Sequence, residues 1–147
     1  MLSSAEMVEV ERAECLRLLS GECVGRVVFT EAALPAALPV NYVVDGEEVV
    51  FRTRRGGRLA TAVPGKVVGF EIDSVDVVTR TGWSVLGVGE AYEVNDPARH
   101  VRLAHRWPQP WAPNRTDVVV SIPVQLLSGR RICGGDRADG RLRVDTS

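Results

Sequence analysis

The stretch LPVNYVVDGEEVVFRT (38–53) constrains the fold more than any other part of the chain. Two valine-rich runs, 38–44 and 47–53, flank Asp45-Gly46, and such a pair between apolar runs signals a tight antiparallel hairpin. The turn then fixes the register. Comparable runs recur as VGRVVFT (24–30), KVVGFEI (66–72), WSVLGVGEAYEV (83–94) and DVVVSIPVQLLS (117–128), the last interrupted by Pro123. Thr81-Gly82 is expected to bend the chain before the long run. Gly87 and Gly89 thin that run, and glycine inside a strand marks a bulge or the close approach of another backbone or a ligand. No helices of 10–15 residues alternate with these segments, which disfavours a parallel βαβ sheet. The reading is a mainly β (α+β) chain, a six-stranded antiparallel barrel, closed or split, with short flanking helices.

Three helical segments are expected. Val10, Ala13, Leu16 and Leu19 share one face of a helix over 9–19, with Ser20-Gly21 as its stop. RRGGRLATAVPG (54–65) holds a short helix ended by Pro64-Gly65. Asp96 is a candidate N-cap with Pro97 in the first turn of a helix running to about His105. WPQPWAPNR (107–115) reads as an ordered loop, and 1–8 and 135–147 as loose tails. The 147 residues suffice for one domain that buries roughly two-thirds of its unfolded surface.

Charge excludes some functions. Eighteen basic against nineteen acidic residues leave a net charge of -1, without the cationic excess of a nucleic-acid domain. No apolar run approaches the ~18 residues that span a bilayer, and the start shows no signal-peptide pattern, so a soluble, cytoplasmic chain without membrane contact is expected. Cys15, Cys23 and Cys133 form no C-x-x-C pair, and neither His100 nor His105 falls at zinc-finger spacing from them. Neither a metal site nor a disulfide scaffold is expected; the cysteines read as small hydrophobes of a reducing cytosol.

Chemistry could sit in three places. In RTRRGGRL (52–59), Arg52, Arg54, Arg55 and Arg58 surround two glycines where a strand meets a helix. Backbone amides, a helix N-terminus and guanidinium groups together suit a phosphate; a solvated arginine turn is the alternative. Pro39-Val40-Asn41-Tyr42 puts two polar residues into an apolar strand across the hairpin from Phe51-Arg52-Thr53, where a planar ligand could lie, or where a buried Tyr and an edge Asn could simply be satisfied. Trp83-Ser84 could face a ligand or cap the barrel, and Trp107 and Trp111 could cover a flat ligand or an interface. No G-x-S-x-G, H-E-x-x-H or Walker loop is present, so no catalytic side chain is named and a bound cofactor would carry any chemistry.

In order and spacing, a leading helix, GRVVF (25–29), LPVNYVVDGEEVVFRTRRGGRL (38–59), WSVLGVGEA (83–91) and IPVQLLSGRRI (122–132) resemble the pyridoxamine 5′-phosphate oxidase-like family of FMN-binding split β-barrels. The nearest likeness is to the short bacterial branch that includes the nitroimidazole-resistance proteins. The resemblance implies a homodimer with two FMN molecules at the subunit interface and a small-molecule substrate. By position, Pro39 to Tyr42 would run beside the flavin ring, and Phe51, Arg52 and Thr53 along the strand ending at the ribityl phosphate. Arg58, assisted by Arg54 or Gly57, would take the phosphate, while Trp83 and Ser84 would reach across to the flavin. The Arg-Arg-Gly-Gly-Arg loop replaces the Ser-x-Lys pattern of the vitamin-oxidising enzymes, whose C-terminal substrate segment is also missing. No histidine stands in 38–60, where the resistance proteins carry one near the flavin. Both departures point away from those two specific activities. Two alternatives keep the fold: a deazaflavin coenzyme, whose longer anionic tail suits the arginines, and a non-catalytic flavin- or haem-binding dimer.

Overall fold

The computed structural model describes residues 6–107 and 117–133. The elements are β1 (Glu6–Val10), α1 (Arg12–Ser20), β2 (Val24–Glu31), β3 (Leu34–Asp45), β4 (Glu48–Arg54), α2 (Arg58–Ala62), β5 (Val67–Asp76), β6 (Thr81–Glu90), β7 (Tyr92–Glu93), α3 (Pro97–Ala104), β8 (Asp117–Pro123) and β9 (Leu126–Cys133). The strands form one curled sheet in the order β1-β9-β6-β5-β2-β3-β4-β8-β7, with antiparallel neighbours throughout.

Among the described residues nine strands replace the six expected, for three reasons. The run 117–128 is two strands, because the chain leaves β8 after Pro123 and re-enters beside β6 as β9. The run 83–94 divides at Ala91, whose N–H and C=O bond to Lys66 and Gly65 before the chain turns to pair β7 with β8. Glu6–Val10, read partly as tail and partly as helix, is held instead along β9, so α1 begins at Arg12. The bend expected at Thr81-Gly82 lies just earlier, at 77–80, and those two residues already pair with β5.

The hairpin at Asp45-Gly46 is present. Gly46 (φ +66°) opens a two-residue loop, and Tyr42 pairs with Phe51 and Val43 with Val50. A second tight hairpin joins β2 and β3 through Ala32 and Ala33, both left-handed at φ +53° and +64°. No Gly or Asn advertises it. At the crossing of β6 and β8, a methyl group on Gly89 would overlap the Pro123 carbonyl oxygen. The glycine there is required by the approach of another backbone.

Inward residues of β2, β3, β4, β5 and β8, among them Val27, Tyr42, Phe51, Phe70 and Ile122, pack with Cys15 and Leu19 of α1 into the main core. A smaller cluster of Val50, Val94, Leu103, Trp107 and Val119 covers the opposite face of β4 and β8 beneath α3. That double cover explains why Val49, Val50 and Phe51 are all buried in succession. Asp96 caps α3 by accepting from the Ala98 N–H at 3.1 Å, with Pro97 as the first helical residue. Most of the tryptophan–proline loop, Trp111 included, and the stretch after Cys133 lie outside the described residues.

Candidate functional site

β4 ends at Arg54, Gly56 (φ +84°) turns the chain, and Gly57 precedes α2. The Gly57 N–H donates to the Arg54 carbonyl at 3.0 Å, and the Gly57 carbonyl accepts from the Thr61 hydroxyl at 2.8 Å. This glycine closes the turn and does not offer its amide to a ligand. α2 has five residues, too short for its dipole to add much. An anion here would therefore depend on guanidinium groups.

The four arginines are distributed differently from their sequence proximity. Arg52 is half-buried with its guanidinium 4.2 Å from the centre of the Trp107 ring. Burial pushes its pKa down to about 10, against the pull of Asp117. Strand alternation puts it on the face of β4 opposite Phe51 and Thr53. Thr53 is half-buried at the end of the strand, paired with Val118. Arg54 is exposed and makes no ion pair among the described residues. Arg55 reaches Glu93 at 3.4 Å. Arg58 donates through Nε to Glu31 Oε1 at 2.9 Å, its Nη2 is ion-paired with the same oxygen at 2.7 Å, and the guanidinium lies 5.9 Å from the centre of the Phe29 ring. Its pKa is raised by the hydrogen bond to Glu31. Glu31 follows the apolar run 24–30, and no feature of the sequence marked it.

On β3 the four predicted residues face two ways. Tyr42 is buried, donates its hydroxyl to the Leu19 carbonyl, and meets Phe70 edge-on with ring centres 4.7 Å apart. Burial pushes its pKa upward. Phe51, directly opposite, is fully buried. The side chains of both belong to the core, so neither presents its ring to a ligand on the surface. Val40 also packs against the core. Pro39 and Asn41 are exposed on the outer face, beside Arg26 and Val24 of β2.

That outer face continues across β5, β6 and β9. Ser84 lies on it between Asp73 and Arg130, whereas Trp83 alternates inward and packs against the core. Arg26 bridges Glu71 at 2.9 Å and Asp73 at 3.5 Å. Burial, together with the neighbouring Asp73 carboxyl, pushes the Glu71 pKa up. Val24, Val28, Leu86 and Leu126 are exposed on the same face. The predicted residues thus form a rim group around Arg54 and Arg58 and an outer-face group of Pro39, Asn41 and Ser84, with Tyr42, Phe51 and Trp83 supporting from within. His100 donates its Nε2–H to the Val94 carbonyl (2.7 Å), and His105 is the C-cap of α3. Among the described residues no cluster of metal-ligating side chains occurs, and no helix is long and apolar enough to cross a membrane.

Residues 11–131 match the family described as Pyridoxamine 5'-phosphate oxidase. The chain is 44% identical over 143 residues to "Uncharacterized protein Rv0080" of Mycobacterium tuberculosis, covering 92% of this chain and 91% of that protein. Among solved structures it is similar to the FAD binding protein from Mycobacterium smegmatis (32% identity, TM-score 0.74, 84% of this chain and 98% of that one). It is also similar to a pyridoxamine 5'-phosphate oxidase assigned as putative in Corynebacterium glutamicum (27%, TM-score 0.70, 87% and 99%). With its curled antiparallel sheet and short helices in the split-barrel arrangement, this chain belongs to the pyridoxamine 5′-phosphate oxidase family.

Proposed function

We propose that the chain is a flavin-dependent oxidoreductase of the cytoplasm, with FMN as cofactor and a small organic molecule as substrate, working as a homodimer. The observation that carries this reading is the arginine-rich β4–α2 junction in a chain 32% identical to a FAD binding protein. Arg54 is exposed and makes no ion pair among the described residues, and Arg58 is held by an exposed ion pair to Glu31 beside the Phe29 ring. Guanidinium groups in that state fit a phosphate, because an exposed pair has little net worth and a charge-assisted phosphate contact replaces it favourably. Arg58 and Arg54 would hold the phosphate, and the outer face around Pro39, Asn41 and Ser84 would flank the ring. A bound flavin supplies hydride or single-electron transfer. The protein contributes binding and orientation, since none of the described side chains near the arginines is an evident acid–base catalyst. The exposed Val24, Val28, Leu86 and Leu126 of the outer face support a second copy as its cover.

A second reading, FAD in place of FMN, is favoured by the relative from M. smegmatis, and the same arginines would suit the longer anionic tail of a deazaflavin coenzyme. The absorbance spectrum of freshly purified protein, before and after heat release of ligand, tests the proposal. Flavin bands, or uptake of added FMN by a colourless preparation, support it. Uptake of FAD or deazaflavin alone replaces the cofactor, and uptake of none removes the flavin reading. Arg58→Ala is expected to weaken FMN binding about tenfold or more in a fluorescence titration, as the loss of a charge-assisted contact should.

A further inference from the structure

The structure already supplies Arg58 with an anion. Glu31 Oε1 accepts from Nε and lies 2.7 Å from Nη2, and the guanidinium is 5.9 Å from the centre of the Phe29 ring. Phe29 and Glu31 are alternate residues of β2, so one face of that strand holds the guanidinium by ring and carboxylate together. The backbone of Glu31 is fixed by the hairpin. It pairs with Leu34 across the two-residue turn of Ala32 and Ala33, whose backbone is locked in the left-handed region. Arg58, more than half exposed on the first residue of α2, is the movable member.

We propose that Glu31 is an internal stand-in for the phosphate group at this seat. It engages Arg58 until a phosphorylated ligand displaces it, and so sets how strongly the seat prefers a phosphomonoester over the same molecule without phosphate. A carboxylate that uses one oxygen on the guanidinium is a weaker version of a phosphate, which brings more charge and more acceptor oxygens. The ligand must overcome the Glu31 pair before it gains Arg58. This inference rests on Arg58 being the phosphate ligand of the proposed function.

The test compares FMN with riboflavin, which share a ring and differ in the phosphate, on the full chain, Glu31→Gln, Arg58→Ala and the double variant. Inorganic phosphate is titrated in parallel against the Arg58 Nε–H signal in NMR. Glu31→Gln should tighten FMN by about two- to fivefold, the worth of an exposed ion pair, and leave riboflavin unchanged. It should have no effect in the Arg58→Ala background. Half-saturation by inorganic phosphate should fall by a similar factor. Weaker FMN binding by Glu31→Gln would make Glu31 an orienting partner of Arg58 and overturn the proposal. Equal tightening of riboflavin, or tightening that persists without Arg58, would overturn it too. If no variant binds any flavin, the flavin reading fails on its own and the phosphate titration decides: a lower half-saturation in Glu31→Gln upholds the role of Glu31, and an unchanged or absent response removes it.

Discussion

Gly89 and Ala33 show backbone demands that act in opposite directions. Gly89 has no room for a side chain, because the Pro123 carbonyl occupies the space a methyl group would need, and backbone cannot move aside cheaply. Gly89→Ala should destabilise the fold by about 3 kcal/mol or more, read as a shifted midpoint in urea unfolding. Ala33 has room but the wrong conformational preference, with φ at +64°. Ala33→Gly should raise stability by about 0.5–1 kcal/mol by the same measurement, since a left-handed L-residue costs more than glycine loses in chain entropy. The first of these features was legible: Gly87 and Gly89 announced a close approach within a strand. The second was not, because an Ala-Ala pair carries no turn signal. Tyr42 was ambiguous in the same way. Its place in an apolar strand fitted either a ligand or the core, and only the partner of its hydroxyl, the Leu19 carbonyl, shows where its side chain goes.

At the scale of elements, α3 is fastened to the β3–β4 hairpin by charge. Arg99 donates to Asp45 (2.9 Å), Glu48 (3.1 Å) and Ser121 (3.3 Å), Arg102 donates to Asp45 (2.8 Å), and the buried Ser121 hydroxyl donates to Glu48 (2.6 Å). Burial alone would raise both carboxyl pKa values. The bonds from Arg102 and Arg99 to Asp45, and from Ser121, Tyr92 and Arg99 to Glu48, outweigh it and hold both below their ordinary values. The unfolded chain therefore binds these protons more readily than the folded one. The stabilisation is fully present above the ordinary carboxylate range, roughly pH 4, and is lost as pH falls through the depressed folded values. Arg99→Met should cost about 2–3 kcal/mol at neutral pH and flatten this acid-side loss, which thermal unfolding between neutral and acid pH would show. None of this network was legible, since its members are separated by 51 or more residues in the pairs Arg99–Asp45 and Arg99–Glu48. The cap of α3 was legible because Asp96 and Pro97 are adjacent and local. Long-range pairing also decided where the run 117–128 divides: Pro123 showed an interruption, but not that the next strand would lie beside β6.

Across the whole molecule, the two outer sheet faces are treated differently. Around β4 and β8 the outer face is covered by α3 and Trp107, while around β2, β5, β6 and β9 it presents Val28, Leu86 and Leu126 to solvent among the described residues. If a second copy covers that face, Leu86→Arg should convert the protein to monomer in analytical ultracentrifugation while leaving its circular dichroism unchanged. A dimer that persists would move the interface elsewhere. The barrel class was legible from alternating runs and one hairpin, because periodicity is a local property. The division of the candidate site into a rim and an outer face was not, because it depends on which way each strand residue points once the register is set.

The position of β9 between β1 and β6 has a consequence for how the chain is made. Residues 129–133 pair with residues 6–10 on one side and residues 126–132 with 82–88 on the other, so among the described residues the first strand gains its neighbour in the sheet when the last one arrives. During synthesis, the flank of β6 that β9 will fill waits as an open edge beside an apolar surface. Such an edge is prone to association, and closing it requires contacts distant in sequence, which are slow to form. A chain cut just before residue 126 would lack β9 and leave that edge of β6 uncovered, so such a truncation is expected to associate through it.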